Sequence, residues 1–336
     1  MINKKTKFCK AAALLGAAVM MISALAGCGK NTKVVLTAGL KKNEVFRISS
    51  ASCVLPEVMV YLTNMQNQYE SVYGSQIWNA SDGQLSLEQE EREQVLTQLA
   101  RIKVMNLLAQ KKEVTLDDKE KERAAAAARE YFASLNSAEV TALNVTQDLI
   151  TKMYEEYALA EKVYQTIVEN VNPEVSDDEA RTITVDMIRA SDSAKASQVL
   201  GKAKEEGVDF ETLAQAESED QTVTQSFGKG EVSEALEKAA FNLGKDEISD
   251  VVESDGSYYI LKCISTFDEA QTKANKEKIV KQRQSEAFDT EYTAFEQTLV
   301  RQLNEELWNS VTMIHQDDVK TSSFFEVYQM YFQHQE

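Results

Sequence analysis

The chain has 336 residues, 54 acidic against 36 basic, a formal net charge of −18, and only two prolines and twelve glycines. So acidic a surface repels polynucleotides and anionic headgroups, which excludes a nucleic-acid partner. Few turn-forming residues beside long stretches rich in alanine, glutamate, lysine and glutamine predict a mostly helical protein and exclude a β-sandwich.

The N-terminus reads as an export signal. Lys4, Lys5, Lys7 and Lys10 precede an uncharged apolar run from Ala11 to Ala24, shorter than the roughly 20 residues a membrane-spanning helix needs. The run ends in Leu25-Ala26-Gly27-Cys28, which resembles the lipobox cleaved by bacterial lipoprotein signal peptidase. That resemblance implies removal of residues 1–27 as a signal peptide, a lipid on Cys28, and residence on the extracytoplasmic face of a bacterial membrane. Several acyl chains, palmitate among them, anchor a protein far more firmly than one. Losing four lysines and no acidic residue takes the mature chain from −18 to −22. Cys53 and Cys263 then remain, either paired or sitting as small buried apolar residues. His315 and His334 are the only histidines; with no Cys/His cluster, neither a metal nor another cofactor is indicated.

Residues 28–44, polar and basic, suit a flexible tether. Pro56 then stands at the start of a predicted helix whose Val58, Tyr61, Leu62 and Met65 form an apolar stripe. A loop through Asn79 to Gly83 leads to a long amphipathic helix from Leu87 to Lys112, with Glu90, Glu91 and Glu93 near its positive end. Thr115-Leu116-Asp117-Asp118 opens a helix to Leu135, and Thr146 caps another running to about Val171, closed by Asn172-Pro173.

The texture then changes. Thr182 to Ile188 and Gly256 to Lys262 read as strands, with two short helical stretches between them, Ala194 to Glu206 and Phe210 to Ala216. From Asp268 to about Met313 the helical pattern returns, with Phe288, Tyr292, Phe295, Leu299 and Leu303 on one face. The expected fold is α+β: a mostly helical domain built from residues 45–176 and 267–336, with a small α+β domain, residues 177–266, inserted and holding all the strands. The aromatic segment Phe324 to Phe332 is expected to pack on the helical domain, with self-association or client contact as the alternatives.

This arrangement resembles the secreted foldases of the PrsA and SurA kind, whose insert is a parvulin-type peptidyl-prolyl isomerase (rotamase) domain. The matching stretches are Gly207-Val208-Asp209-Phe210 with Leu213-Ala214, Ser218-Glu219-Asp220, Lys229-Gly230-Glu231-Val232, Leu236 to Phe241, and Lys245-Asp246-Glu247-Ile248-Ser249. The resemblance implies a proline pocket lined by Val232, Leu236 and Phe241, with Phe227 beside it, and Asp220 next to the substrate carbonyl. Two family histidines are replaced, by Asp186 on the first strand and Tyr258 on the last, and the family's Gly-Gly-Asp-Leu-Gly turn gives way to Val223-Thr224-Gln225. A hydrogen bond between Asp186 and Tyr258 is the expected substitute for the histidine pair.

The implied partners are unfolded or partly folded exported proteins, their proline-containing segments, and the membrane through Cys28. The implied activity is peptidyl-prolyl cis-trans isomerisation within a foldase, with a binding-only chaperone that has lost turnover as the alternative. A solute-binding lipoprotein is the third class; it needs two α/β lobes with parallel strands, which confinement of strands to one insert argues against.

Overall fold

The computed structural model describes residues 39–80 and 86–332. The signal segment 1–27, Cys28 and most of the 28–44 tether lie outside the described residues. Its strands are β1 (Glu44–Ile48), β2 (Ala51–Val54), β3 (Thr182–Ala190), β4 (Thr224–Gly228), β5 (Val252–Ser254), β6 (Ser257–Ser265) and β7 (Arg301–Leu303). Its helices are α1 (Leu55–Tyr73), α2 (Leu87–Lys111), α3 (Asp118–Ser134), α4 (Ser137–Leu143), α5 (Gln147–Val168), α6 (Asp177–Ala180), α7 (Ser193–Ala203), α8 (Phe210–Glu217), α9 (Glu234–Phe241), α10 (Glu269–Glu296), α11 (Glu305–Asn309) and α12 (Phe324–Phe332). They fall into two units, Met1–Asn170 with Ala287–Glu336, and Val171–Glu286.

In the first unit the helices start where capping chemistry dictates. Ser86 with Gln89, Asp117 with Glu120, and Asn136 with Glu139 each form a reciprocal capping box opening α2, α3 and α4, and Thr146 accepts from Leu149 N at the start of α5. Each box satisfies two backbone donors the helix cannot pair itself. Helix α4 was not anticipated, and α5 stops at Val168, short of Val171. Ala124, Ala127 and Ala128 are fully buried on α3, small side chains that let α5 approach closely.

Two expectations are corrected here. Strands are not confined to the insert: β1, β2 and β7 form a three-stranded antiparallel sheet in the order β2-β1-β7, burying Val45, Phe46, Ile48 and Cys53. The β1–β2 turn is Ser49-Ser50, with Ser49 at φ 50°; it carries none of the Asn-Gly or Asp-Gly chemistry that announces a hairpin. Nor does the returning helix reach Met313. Helix α10 ends at Glu296, and Leu303, in phase with its apolar face, lies instead on β7 opposite Phe46. Pairing the open edge of β1 outweighs the helical periodicity. Both sheets are antiparallel, so the parallel lobes of a solute receptor are absent among the described residues.

Lys103 is buried between carboxylates, 2.7 Å from Glu57 and 2.6 Å from Glu156. Burial opposes its charge, yet the two carboxylates outweigh it and raise the ammonium pKa to about 12. Glu91, near the positive end of α2, is 2% exposed, with its Oε1 unpaired, and burial raises its pKa to about 7. Between the ordinary 4.5 and about 7 the folded chain therefore binds more protons than the unfolded one, and stability falls as pH rises through that window. Glu91→Gln is expected to stabilise the protein by up to roughly 3 kcal/mol at pH 8, the gain vanishing below pH 4.5, in urea denaturation at the two pH values.

The second unit is a four-stranded antiparallel sheet in the order β4-β3-β6-β5. Helices α7 and α8 cover one face, where Val199, Ala203, Phe210 and Ala214 meet Ile188 and Ile260. Helix α9 covers the other through Leu236 and Ala240. The β5–β6 hairpin turns at Asp255-Gly256, with φ 52° and 74°, the sequence and geometry of a tight two-residue hairpin.

Candidate functional site

Side chains alternate across a strand, and directly paired residues share a face. On the α9 face lie Ile183, Val185 and Met187 of β3, Leu261 and Cys263 of β6, and Phe227 of β4, packed with Leu236. Half-buried Val232, Phe241 and Tyr259 border them. The rings of Phe227 and Phe241 meet edge-on at 6.3 Å, and the Arg181 guanidinium lies 4.9 Å from the centre of the Phe241 ring. The four predicted pocket residues, Val232, Leu236, Phe241 and Phe227, are thus brought together on one apolar surface.

Asp186 and Tyr258 are not part of it. Asp186 pairs with Lys262 and Tyr258 with Ala190, positions that flank the Ile188–Ile260 pair on the face covered by α7 and α8. The two lie four residues apart along the ladder, about 13 Å at the rise of a strand. The hydrogen bond expected between them is therefore not formed. Asp186 Oδ1 instead accepts from Thr224 Oγ1 at 2.6 Å. A shift of one residue moves every side chain to the opposite face, and the neighbours that do share the pocket face are Met187 and Tyr259.

Arg189 stands opposite Tyr259 on that same face and fixes Asp220. Its Nε donates to Asp220 Oδ1 at 2.7 Å, while Nη1 lies 3.8 Å from Glu219. Ser218 Oγ accepts from the backbone N–H groups of both Arg189 and Asp220, so the loop after α8 is pinned to β3 beside Arg189. The Asp220 hydrogen bond and charge raise the guanidinium pKa above its ordinary value. Sequence reasoning missed Arg189 and Tyr259; the signal that could have found them was the strict two-residue period of β3 and β6 counted from Ile183 and Leu261.

The arrangement offers an apolar surface that can grip a ring-shaped side chain, bordered by a phenol and by an ion pair. No group of three or more His, Cys, Asp or Glu side chains able to hold a metal occurs among the described residues. Cys53 and Cys263 are buried and free, and burial pushes both thiols up.

Comparison with known proteins shows what this part of the chain resembles. Residues 155–277 match the family described as the PPIC-type PPIASE domain. The chain also resembles the PrsA-like parvulin foldases: the foldase protein PrsA of Streptococcus pneumoniae (strain Hungary19A-6) is 34% identical over 128 residues, covering 34% of this chain and 38% of the relative. The chain therefore matches well under half the length of that relative. Among solved structures, PrsA of Bacillus cereus is similar at 18% identity and a TM-score of 0.38, over 72% of this chain and 91% of that one. PrsA of Streptococcus pneumoniae is similar at 23% and 0.29, over 73% and 92%.

If Asp186 serves the fold and not the pocket, its bond to Thr224 should appear in stability. Asp186→Ala and Thr224→Val are each expected to destabilise the chain, with a coupling of about 1 kcal/mol in a double-mutant cycle read by denaturation. Additive effects would show that the bond contributes nothing.

Proposed function

We propose that this chain is an extracytoplasmic foldase tethered to the membrane through a lipid on Cys28. The helical unit holds unfolded or partly folded exported proteins, and the inserted unit speeds cis-trans isomerisation of their X-Pro bonds. The observation that carries this reading is the convergence of Phe227, Val232, Leu236 and Phe241 on one partly open apolar face, within residues that match the PPIC-type domain. Rotation about the amide faces a barrier of about 18–20 kcal/mol and breaks no bond. A catalyst must hold the proline ring in a dry pocket and favour the twisted amide, which has lost its resonance. Tyr259 and the Arg189–Asp220 pair are the polar groups bordering that pocket, so they take the place first given to Asp186 and Tyr258.

A second reading, a binding-only chaperone, is favoured by one feature: the carboxylate of Asp220 is already engaged by Arg189. An exchange assay of cis-trans interconversion in a proline peptide, run with the full chain, separates the two. The proposal expects an acceleration of at least tenfold over the uncatalysed rate, reduced by Asp220→Asn while protection of an unfolded client persists. Client protection without any acceleration would leave only the binding function.

A further inference from the structure

Helix α1 buries three side-chain amides, Asn64, Gln66 and Asn67, at no more than 6% exposure. Buried amides need partners, and these find them on an irregular segment of the same unit, residues 314–324, which turns once where Val319 N donates to Gln316 O at 3.1 Å. Gln66 Nε2 donates to Ile314 O at 3.0 Å and Gln66 Oε1 accepts from Ile314 N at 3.1 Å. Asn67 Nδ2 donates to Val319 O and Thr321 O at 3.2 and 2.8 Å, and Gln68 Nε2 to Ser322 O at 2.8 Å. Across the groove, Asn136 Nδ2 donates to Asp318 O and Glu139 Oε1 accepts from Lys320 N, both at 2.8 Å. Asn64 Oδ1 accepts from Phe324 N at 3.0 Å.

Each of these bonds ends on the main chain of the segment. Its side chains enter at few points: the Thr321 hydroxyl donates to Tyr131 Oη, Val319 is fully buried, and the Phe324 ring stacks on Tyr154 at 4.5 Å and meets Tyr131 edge-on at 5.2 Å. The segment has no strand partner and no helix before Phe324. A groove that reads irregular backbone through side-chain amides and ends in an aromatic socket has the recognition chemistry for unfolded polypeptide, because main-chain groups are common to every sequence.

From this we infer that the groove is a client site: it takes an unfolded polypeptide segment carrying an aromatic residue, and residues 314–324 are its intramolecular occupant, displaced when the client binds. The inference rests on the holding function proposed above. A tethered occupant competes at an effective concentration on the order of millimolar, so clients would be held weakly and released readily. A second copy is the less favoured occupant because two chains of net charge −18 repel one another.

The test is hydrogen–deuterium exchange read amide by amide on the full chain, with and without reduced, carboxymethylated lactalbumin as a permanently unfolded client. Saturating client is expected to speed exchange of the Ile314, Lys320 and Phe324 amides at least tenfold while Ile188 and Ile260 in the insert stay unchanged. Client bound in sedimentation with those three amides still protected would overturn the inference and leave the holding function standing. No client bound at all would refute the holding function and the inference with it. Faster exchange that follows the chain's own concentration without client would mean that copies trade segments, and would also overturn it.

Discussion

The antiparallel pairing of β3 with β6 is the constraint on which the inserted unit depends. Val185 opposite Cys263 and Met187 opposite Leu261 build the pocket side of the sheet, while Ile188 opposite Ile260 builds the side that α7 and α8 cover. Because both faces are packed, the register has no freedom to slip: a shift of one residue would bury Asp186 and Lys262 among Phe227 and Leu236 and turn Met187 and Leu261 toward the two helices. The same pairing carries Arg189 and Tyr259 to the pocket edge and binds Asp220 there.

Much of this was legible from the sequence, and the failures have physical causes. The capping residue Thr146 and the apolar stripe of α1 declare themselves because they act within one or two helical turns, whereas the box read on Thr115 to Asp118 lies two residues later, on Asp117 with Glu120. Val232, Leu236 and Phe241 come from short motifs of local spacing, and the structure sets them with Phe227 on one apolar surface. The hydrogen bond expected between Asp186 and Tyr258 is not formed because the register of β3 on β6 sets them four residues apart along the ladder, a pairing that no motif spacing reveals. β7 stayed hidden because its partner β1 lies about 250 residues away, beyond the reach of any local pattern, and the β1–β2 hairpin because its Ser49-Ser50 turn carries no hairpin signature.

The helical unit draws its order from contacts equally remote in sequence. Phe324 fits among Tyr61, Tyr131 and Tyr154, and the aromatic segment packs on the helical unit as expected. The amides of α1 and the irregular residues before Phe324 satisfy one another. Lys103 between Glu57 and Glu156 adds a buried charge cluster whose members are tolerated only together. Order in this unit thus depends on polar groups that must be matched as well as on apolar burial.

The proposed isomerase site requires proline to meet the face of the β3–β6 pair that carries Met187 and Leu261. The most direct measurement is an NMR titration of the full chain with an Ala-Pro peptide, following backbone amide signals on both faces of the sheet. The largest shifts are expected at Met187, Arg189, Phe227, Leu236 and Tyr259, with Ile188, Val199 and Phe210 unmoved. Shifts centred on Asp186, Ile188 and Tyr258 instead would contradict it.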